Sequence, residues 1–275
     1  MKKKETHFGY KTVDEKLKES LVAGVFDSVA SKYDIMNDVM SFGIHRIWKK
    51  IAMQHTGLKP GDTALDVAGG TGDLTMQMSK QVGPTGKIII SDINAAMLEE
   101  GRKRLLDKGY AGNIDFVEAN AEDLPFDDNS FSYASLFTTL EFVDDPIKSL
   151  EEAFRVAKDR VFIGVLNRYA IKGIQRRVKG IFTPTIFNHA RFFSVWEVKQ
   201  IIRGILSNTP VSWRTVCQLP ANSGDFVNSL EQSRIIQRCP FGAFVGIVVT
   251  LVPRFKTKPL TMRYQAKNQG RAAMG

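Results

Sequence analysis

The chain has 275 residues, 43% of them hydrophobic, which suits one large domain or one domain with an insertion. Its two cysteines, Cys217 and Cys239, are too few for a disulfide framework or a metal site, so a reducing, cytoplasmic compartment is the default. No apolar stretch follows the lysines of Met1–Glu5, so no signal peptide is expected. The longest apolar run, Phe241 to Val252, is too short to cross a bilayer.

The net charge of +9 conceals two opposite halves: residues 1–159 hold 20 basic and 26 acidic side chains, and residues 160–275 hold 18 and 3. In chain order, residues 6–57 read as helical. Val25, Phe26, Val29, Ala30 and Tyr33 recur at the spacing of one helix face, and residues 1–57 are expected to form an N-terminal helical cap. Tyr33 to Lys49 has no clear period and is dense in unlike residue types, as a segment lying over a ligand would be. His45 and Trp48, three apart, can share a helical face, where a lone histidine more often packs or caps than acts as a base.

Ala64 to Asp73 is the stretch around which the rest is organised. An apolar run ending in Gly69-Gly70-Thr71-Gly72-Asp73 predicts a strand feeding a tight turn into a helix that starts near Asp73, because glycine lets backbone approach a ligand closely. Twenty residues beyond Gly72, Asp92 ends Lys87–Ser91, where an acid at a strand tip can bind both ribose hydroxyls. The spacing indicates an adenosine. Asp66 inside the strand and Asp73 after the loop would repel a pyrophosphate, so a cofactor with a cationic sulfonium, S-adenosylmethionine, fits better than a dinucleotide.

The segment Ile114–Val117 predicts a third strand, and Asn120-Ala121-Glu122 then lies at a strand's carboxyl end, where an open parallel sheet binds ligands. Phe131–Phe137, Pro146–Ala157 and Val161–Leu166 continue the strand–helix–strand alternation of a parallel sheet. Ser194 with Glu197 three residues on is a capping box opening a helix to Leu206. Val211–Val216 and Gly242–Val252 predict the last two strands, with a helix or a substrate-covering excursion between them. Residues 58–253 would thus form an α/β domain, a seven-stranded, mostly parallel sheet with helices on both faces and an antiparallel last strand. Residues 168–193 would be an insertion roofing the substrate, and 254–275 a basic tail. From Arg160 through Trp196 there is no acid, and basic side chains alternate with Phe182, Phe187, Phe192 and Phe193. Such a segment can meet an anionic membrane surface, a nucleic acid or a negatively charged substrate, or be an ordinary solvated surface with phenylalanines in the core.

The segment Tyr33 to Trp48, with Leu65–Leu74, Asp92-Ile93-Asn94 and Asn120-Ala121-Glu122, resembles the ubiquinone/menaquinone biosynthesis C-methyltransferases, the UbiE/MenG family, over roughly residues 6–131. The resemblance implies a class I, Rossmann-like methyltransferase fold. It makes Thr71, Asp92, Asn120 and Ala121 cofactor-binding residues beside Asp66, Gly69, Gly70 and Gly72, and it places Tyr33 near the reaction centre. After Phe131 the likeness weakens. Phe137 stands where the family has a serine that touches the cofactor, and Glu141 where it has an arginine of the catalytic pocket, a reversal of charge. The back half resembles a different, more general class I methyltransferase, so the chain reads as a mosaic.

Methylation needs the acceptor held in line with the sulfonium and one proton removed, with no metal. Candidate bases are Glu141 first, then His45 and His189, with Tyr33 as an orienting hydroxyl. The expected activity is methylation of a lipophilic small molecule, a polyprenyl quinol in quinone biosynthesis. The basic aromatic roof would let the enzyme dock at the inner membrane face. Against an RNA acceptor stand the missing RNA-binding module and the missing base-methylation motif. Against an inactive binding protein stands the intact glycine loop with Asp92.

Overall fold

The structure is a computed structural model that describes residues 5–8, 11–14, 53, 56–110, 112–169, 190–207, 209–216, 238–242 and 244–251. Two short antiparallel strands come first, β1 (Glu5–Phe8) and β2 (Lys11–Asp14), with Glu5 opposite Asp14 and Phe8 opposite Lys11. This departs from the all-helical reading of the N-terminal cap, and Thr6, Phe8, Thr12 and Val13 are the β-branched and aromatic types that favour strands. The helical face from Val25 to Tyr33 lies outside the described residues.

The main sheet alternates strand and helix as the sequence predicts. In order come β3 (Thr63–Val67), α1 (Asp73–Val82), β4 (Lys87–Asp92), α2 (Ala95–Asp107), β5 (Ile114–Glu118), β6 (Phe131–Phe137), α3 (Pro146–Val156), β7 (Ala157–Leu166), α4 (Val195–Leu206), β8 (Val211–Val216) and β9 (Phe244–Thr250). The seven strands lie in the order β5-β4-β3-β6-β7-β9-β8. β3 to β7 are parallel, and β9, the last strand, is antiparallel to both β7 and β8 between which it lies. β7 begins four residues before its predicted start, because Ala157 already pairs with Phe131.

Side chains alternate between the two faces, and each face has its own core. Leu65, Val67, Leu136 and Ile163 face Leu150 and Ala153 of α3 and Val198 and Ile202 of α4. Ala64, Ile88, Ile90 and Phe162 face Leu74, Met78 and Val82 of α1 and Leu98 and Leu105 of α2. Helices on both faces explain why β6 is buried along nearly its whole length rather than on alternate residues.

Helix starts follow local chemistry. The Asn94 side chain accepts the Met97 N–H, and Asp145 accepts the N–H groups of Ile147 and Lys148 with Pro146 at the first helical position. Ser194 and Glu197 form the reciprocal capping box read from the sequence. The chain runs outward from β3 through β4 to β5, then returns to the other side of β3 as β6. That reversal opens a crevice beyond the carboxyl ends of β3, β4 and β6, the place where open α/β sheets bind ligands.

Candidate active site

The glycine loop leaves β3 at the crevice. Ala68, Gly70 and Gly72 all have positive φ, at 53°, 54° and 76°. Glycine is required at Gly72 for packing too, since a Cβ there would stand 2.8 Å from Leu105 Cδ1. A second glycine, Gly101 of α2, lets the helix lie against the loop, and its Cβ would meet the Gly70 carbonyl oxygen at 2.8 Å. The sequence reading missed Gly101, whose only signal is an unexplained glycine inside a helical pattern.

Asp92 ends β4 where the ribose acid was expected. One carboxylate oxygen accepts the Gly70 N–H at 3.0 Å and the other the Asn94 N–H at 2.9 Å. The loop and the acid, from adjacent strands, are thereby one unit. A carboxylate has about four acceptor sites, so acceptor capacity remains for ribose hydroxyls. Burial pushes the Asp92 pKa up to about 6, against the pull of the N–H groups of Asn94 and Gly70. A Cβ at Gly70 would stand 3.9 Å from the Asp92 carboxylate and 3.1 Å from Met97 Cε, within the space a bound nucleoside needs. These residues fit an adenosyl cofactor.

The other predicted contacts divide into those at the crevice and those beneath it. Asp66 is buried below the loop, accepting Thr75 Oγ1 at 2.6 Å and Ser135 Oγ at 2.7 Å. Its place suits holding the loop to α1 and β6. Thr71 is buried too, and Arg104 donates to its hydroxyl at 3.3 Å while ion-pairing with Asp73 at 2.6 Å. The Asp73 charge is therefore offset, so Asp73 does not stand after the loop as the bare acid that its sequence position suggests. Asn120 sits just past β5, where its side chain accepts the Glu122 N–H at 2.9 Å, and Ala121 is buried in the core. Glu122, not singled out as a site residue beforehand, accepts the N–H groups of Asp144 and Asp145 at 2.8 and 2.9 Å and so joins the loops after β5 and β6.

Beyond β6 the chain is strained and aromatic. Thr138, a β-branched residue, has φ 55°, an uncommon conformation found at functional sites and tight turns. Phe137 packs on Phe244 and Phe162, with ring centroids 4.8 and 6.3 Å away. The place of the family's polar serine is thus an apolar floor.

Glu141 is 2% exposed. One oxygen accepts the Leu166 N–H at 2.6 Å, and among the described residues the other has no hydrogen-bond partner. Its own carbonyl accepts the Arg191 N–H at 2.8 Å. Burial, only partly offset by the Leu166 N–H and its own N–H, raises its pKa to about 8, so its carboxyl is mostly protonated at pH 7. Such a group suits tying β6, β7 and residue 191 together, rather than receiving a proton from a bound acceptor. Tyr33, His45 and His189 lie outside the described residues.

The profile of the ubiE/COQ5 methyltransferase family matches residues 14–173. The chain belongs to that family. The match runs past Phe131 through β7, beyond the stretch over which the sequence likeness was expected to hold. Among curated relatives, the ubiquinone/menaquinone biosynthesis C-methyltransferase UbiE of Hahella chejuensis is 56% identical over 153 residues, 56% of this chain and 61% of that protein. UbiE of Shewanella halifaxensis is 53% identical over the same shares. The chain thus spans about three-fifths of the length of the curated relatives it matches.

Solved structures carry the likeness into the back half as fold. A SAM-dependent methyltransferase of Thermotoga maritima superposes with a TM-score of 0.58 at 25% identity, covering 83% of this chain and 99% of its own. The magnesium protoporphyrin IX methyltransferase of Synechocystis, with bound SAH, superposes at 0.60 over 85% of this chain and 99% of its own, at 12% identity. The class I methyltransferase fold expected from the sequence is the fold observed, and S-adenosylmethionine is the cofactor that the ubiE/COQ5 family and this fold imply.

Proposed function

We propose that this ubiE/COQ5-family chain transfers a methyl group from S-adenosylmethionine to a ring carbon of a lipophilic quinol, of the demethylmenaquinol or polyprenyl benzoquinol type, and meets it at a membrane surface. The observation that carries the reading is the joining of the Gly70 N–H to the Asp92 carboxylate, which sets an acid against the glycine loop at the end of β4. Gly69, Gly70 and Gly72 shape that loop, Asp92 takes the ribose hydroxyls, Asn120 lies beside them, and Asp66 and Thr71 hold the loop from below. Held by these residues, the cofactor would supply an electrophilic methyl carbon for transfer to the acceptor's ring carbon, with S-adenosylhomocysteine as the leaving group. The proton on that ring carbon must then leave, and Tyr33 and His45, which the family signature brings, are our candidates for orienting the acceptor and taking that proton. Glu141 acts by position, fixing the ends of β6 and β7 that floor the acceptor pocket. Residues 1–57 as a cap and 168–193 as a roof complete the arrangement.

The test is transfer of labelled methyl from S-adenosylmethionine to short-chain demethylmenaquinol, with cofactor affinity measured by calorimetry on wild type and Asp92→Ala. Label in the quinol, with binding lost in the variant, is the expected result. Unchanged affinity in Asp92→Ala rejects the cofactor site. Tight cofactor binding without label in the quinol rejects the acceptor.

A further inference from the structure

Three large aromatic side chains stand exposed together at one edge of the molecule. Tyr169, Trp196 and Phe241 are 47%, 51% and 63% exposed, and Tyr169 meets the other two edge-on, with ring centroids 5.8 and 6.1 Å apart. Clustered exposed aromatics on a folded surface mark a place of interaction.

Their backbone is built from below. The buried Asn167 side chain donates to the carbonyls of Pro240 and Gly242, at 2.8 and 2.6 Å, on either side of Phe241, and accepts the Tyr169 N–H at 3.2 Å. One amide therefore sets the positions of two of the three aromatics. The third, Trp196, lies in the first turn of α4, which the Ser194–Glu197 capping box holds. Arg168 ties that turn to the end of β7 by donating to the Phe192 carbonyl at 3.0 Å and pairing with Glu197 at 2.7 Å.

Charge identifies the occupant. Trp196, Lys199 and Arg203 fall on one stripe of α4, with Arg203 exposed, and Arg238 lies exposed three residues before Phe241. Among the described residues from Arg160 onward Glu197 is the single acid, and Arg168 offsets it. A second copy would bring the same positive face against it. Edge-on rings beside cations that form no ion pair among the described residues match the interfacial layer of an anionic bilayer, where aromatic rings sit at the headgroups and basic groups meet phosphates.

Position agrees. Asn167 follows the carboxyl end of β7, and Phe241 precedes β9, which runs antiparallel to it, so the aromatics share the sheet edge of the glycine loop. We propose that Tyr169, Trp196 and Phe241, with Lys199, Arg203 and Arg238, form a preorganised surface that docks the chain on an anionic lipid bilayer with its active-site edge toward the lipid. The inference rests on the reading of a membrane-borne acceptor and names the surface that serves it.

The test is flotation of the full chain with phosphatidylcholine vesicles, plain or rich in phosphatidylglycerol, for wild type, Trp196→Ser/Phe241→Ser and Lys199→Ala/Arg203→Ala. Calorimetry with S-adenosylmethionine reports the fold of each variant. Wild type is expected to float with the anionic vesicles, the aromatic pair to weaken this at least about tenfold, and each lost cation to weaken it roughly fivefold, with cofactor affinity unchanged. If wild type floats and the aromatic variant floats equally, this surface is wrong and the membrane reading stands. If wild type with intact cofactor binding does not float, both fall. A dimer that the aromatic variant abolishes, or RNA binding without flotation, likewise overturns the proposal.

Discussion

Replacing Glu141 with glutamine should change the pH dependence of stability in a way that no loss of a contact would mimic. Its pKa is raised from 4.5 to about 8 in the folded chain, so folding keeps a proton that the unfolded chain has lost. A raised pKa contributes stability that is fully present below 4.5 and disappears as pH rises through 8. At pH 7 the folded chain has given up about 1.4 kcal/mol for each of the two and a half pH units above 4.5, roughly 3 kcal/mol. Glutamine carries no such cost, and its carbonyl can still accept the Leu166 N–H. Its amide leaves buried N–H groups where Glu141 has its unpartnered oxygen, a penalty of about 1–3 kcal/mol that does not vary with pH. Urea unfolding of both proteins from pH 5 to pH 9 separates the two effects. The variant should gain on wild type by as much as about 1.4 kcal/mol per pH unit up to pH 8 and then level off. Comparing the two cancels the titration of all other groups. Parallel curves would show that Glu141 is ionised in the folded chain, and would restore it as a base able to take a proton at neutral pH.

Asp92 carries its own pH signature. With a pKa near 6, it accepts two ribose hydroxyls as a carboxylate only above that pH, so cofactor affinity by calorimetry should fall up to about tenfold per unit below pH 6. Asp92→Asn should bind weakly with no such slope, and a variant that keeps the slope would assign the titration elsewhere. Gly101→Ala places a methyl 2.8 Å from the Gly70 carbonyl oxygen and should cost about 1–3 kcal/mol by urea unfolding as α2 is pushed off the loop. Cofactor affinity should drop with it, whereas a fully stable, fully binding variant would show that the helix does not set the loop.

Features written in adjacent residues were legible before the structure. The glycine loop needs three glycines within four residues, the capping box needs Ser194 and Glu197 three apart, and β8 has its predicted bounds. What escaped depends on partners far along the chain. Asp73 reads as a free charge until α2 brings Arg104 to it, 31 positions later. Glu141 reads as the first candidate base until β7 places the Leu166 N–H against it, 25 positions away. Local pattern also misled at Thr6–Val13, where a helical reading carried from later residues met a two-stranded ribbon.

The carboxylates at this edge of the sheet bear on the choice of cofactor. Asp66 is satisfied by the hydroxyls of Thr75 and Ser135, Glu122 by the N–H groups of Asp144 and Asp145, and Asp73 by Arg104. Glu141 is mostly protonated at pH 7. Of the acids that the sequence reading weighed against a pyrophosphate, neither Asp66 nor Asp73 faces the crevice as a bare charge. The weight falls on Asp92, whose carboxylate is ionised at pH 7 and lies directly against the Gly70 N–H that a dinucleotide site would aim at phosphate. That N–H is already occupied by an anion of the chain itself. A second anion there would meet both repulsion and a lost donor, whereas a ribose gains an acceptor. The preference for a nucleoside with a cationic tail over a dinucleotide therefore rests on one hydrogen bond between the glycine loop and the end of β4, and Asp92→Asn tests that preference together with affinity.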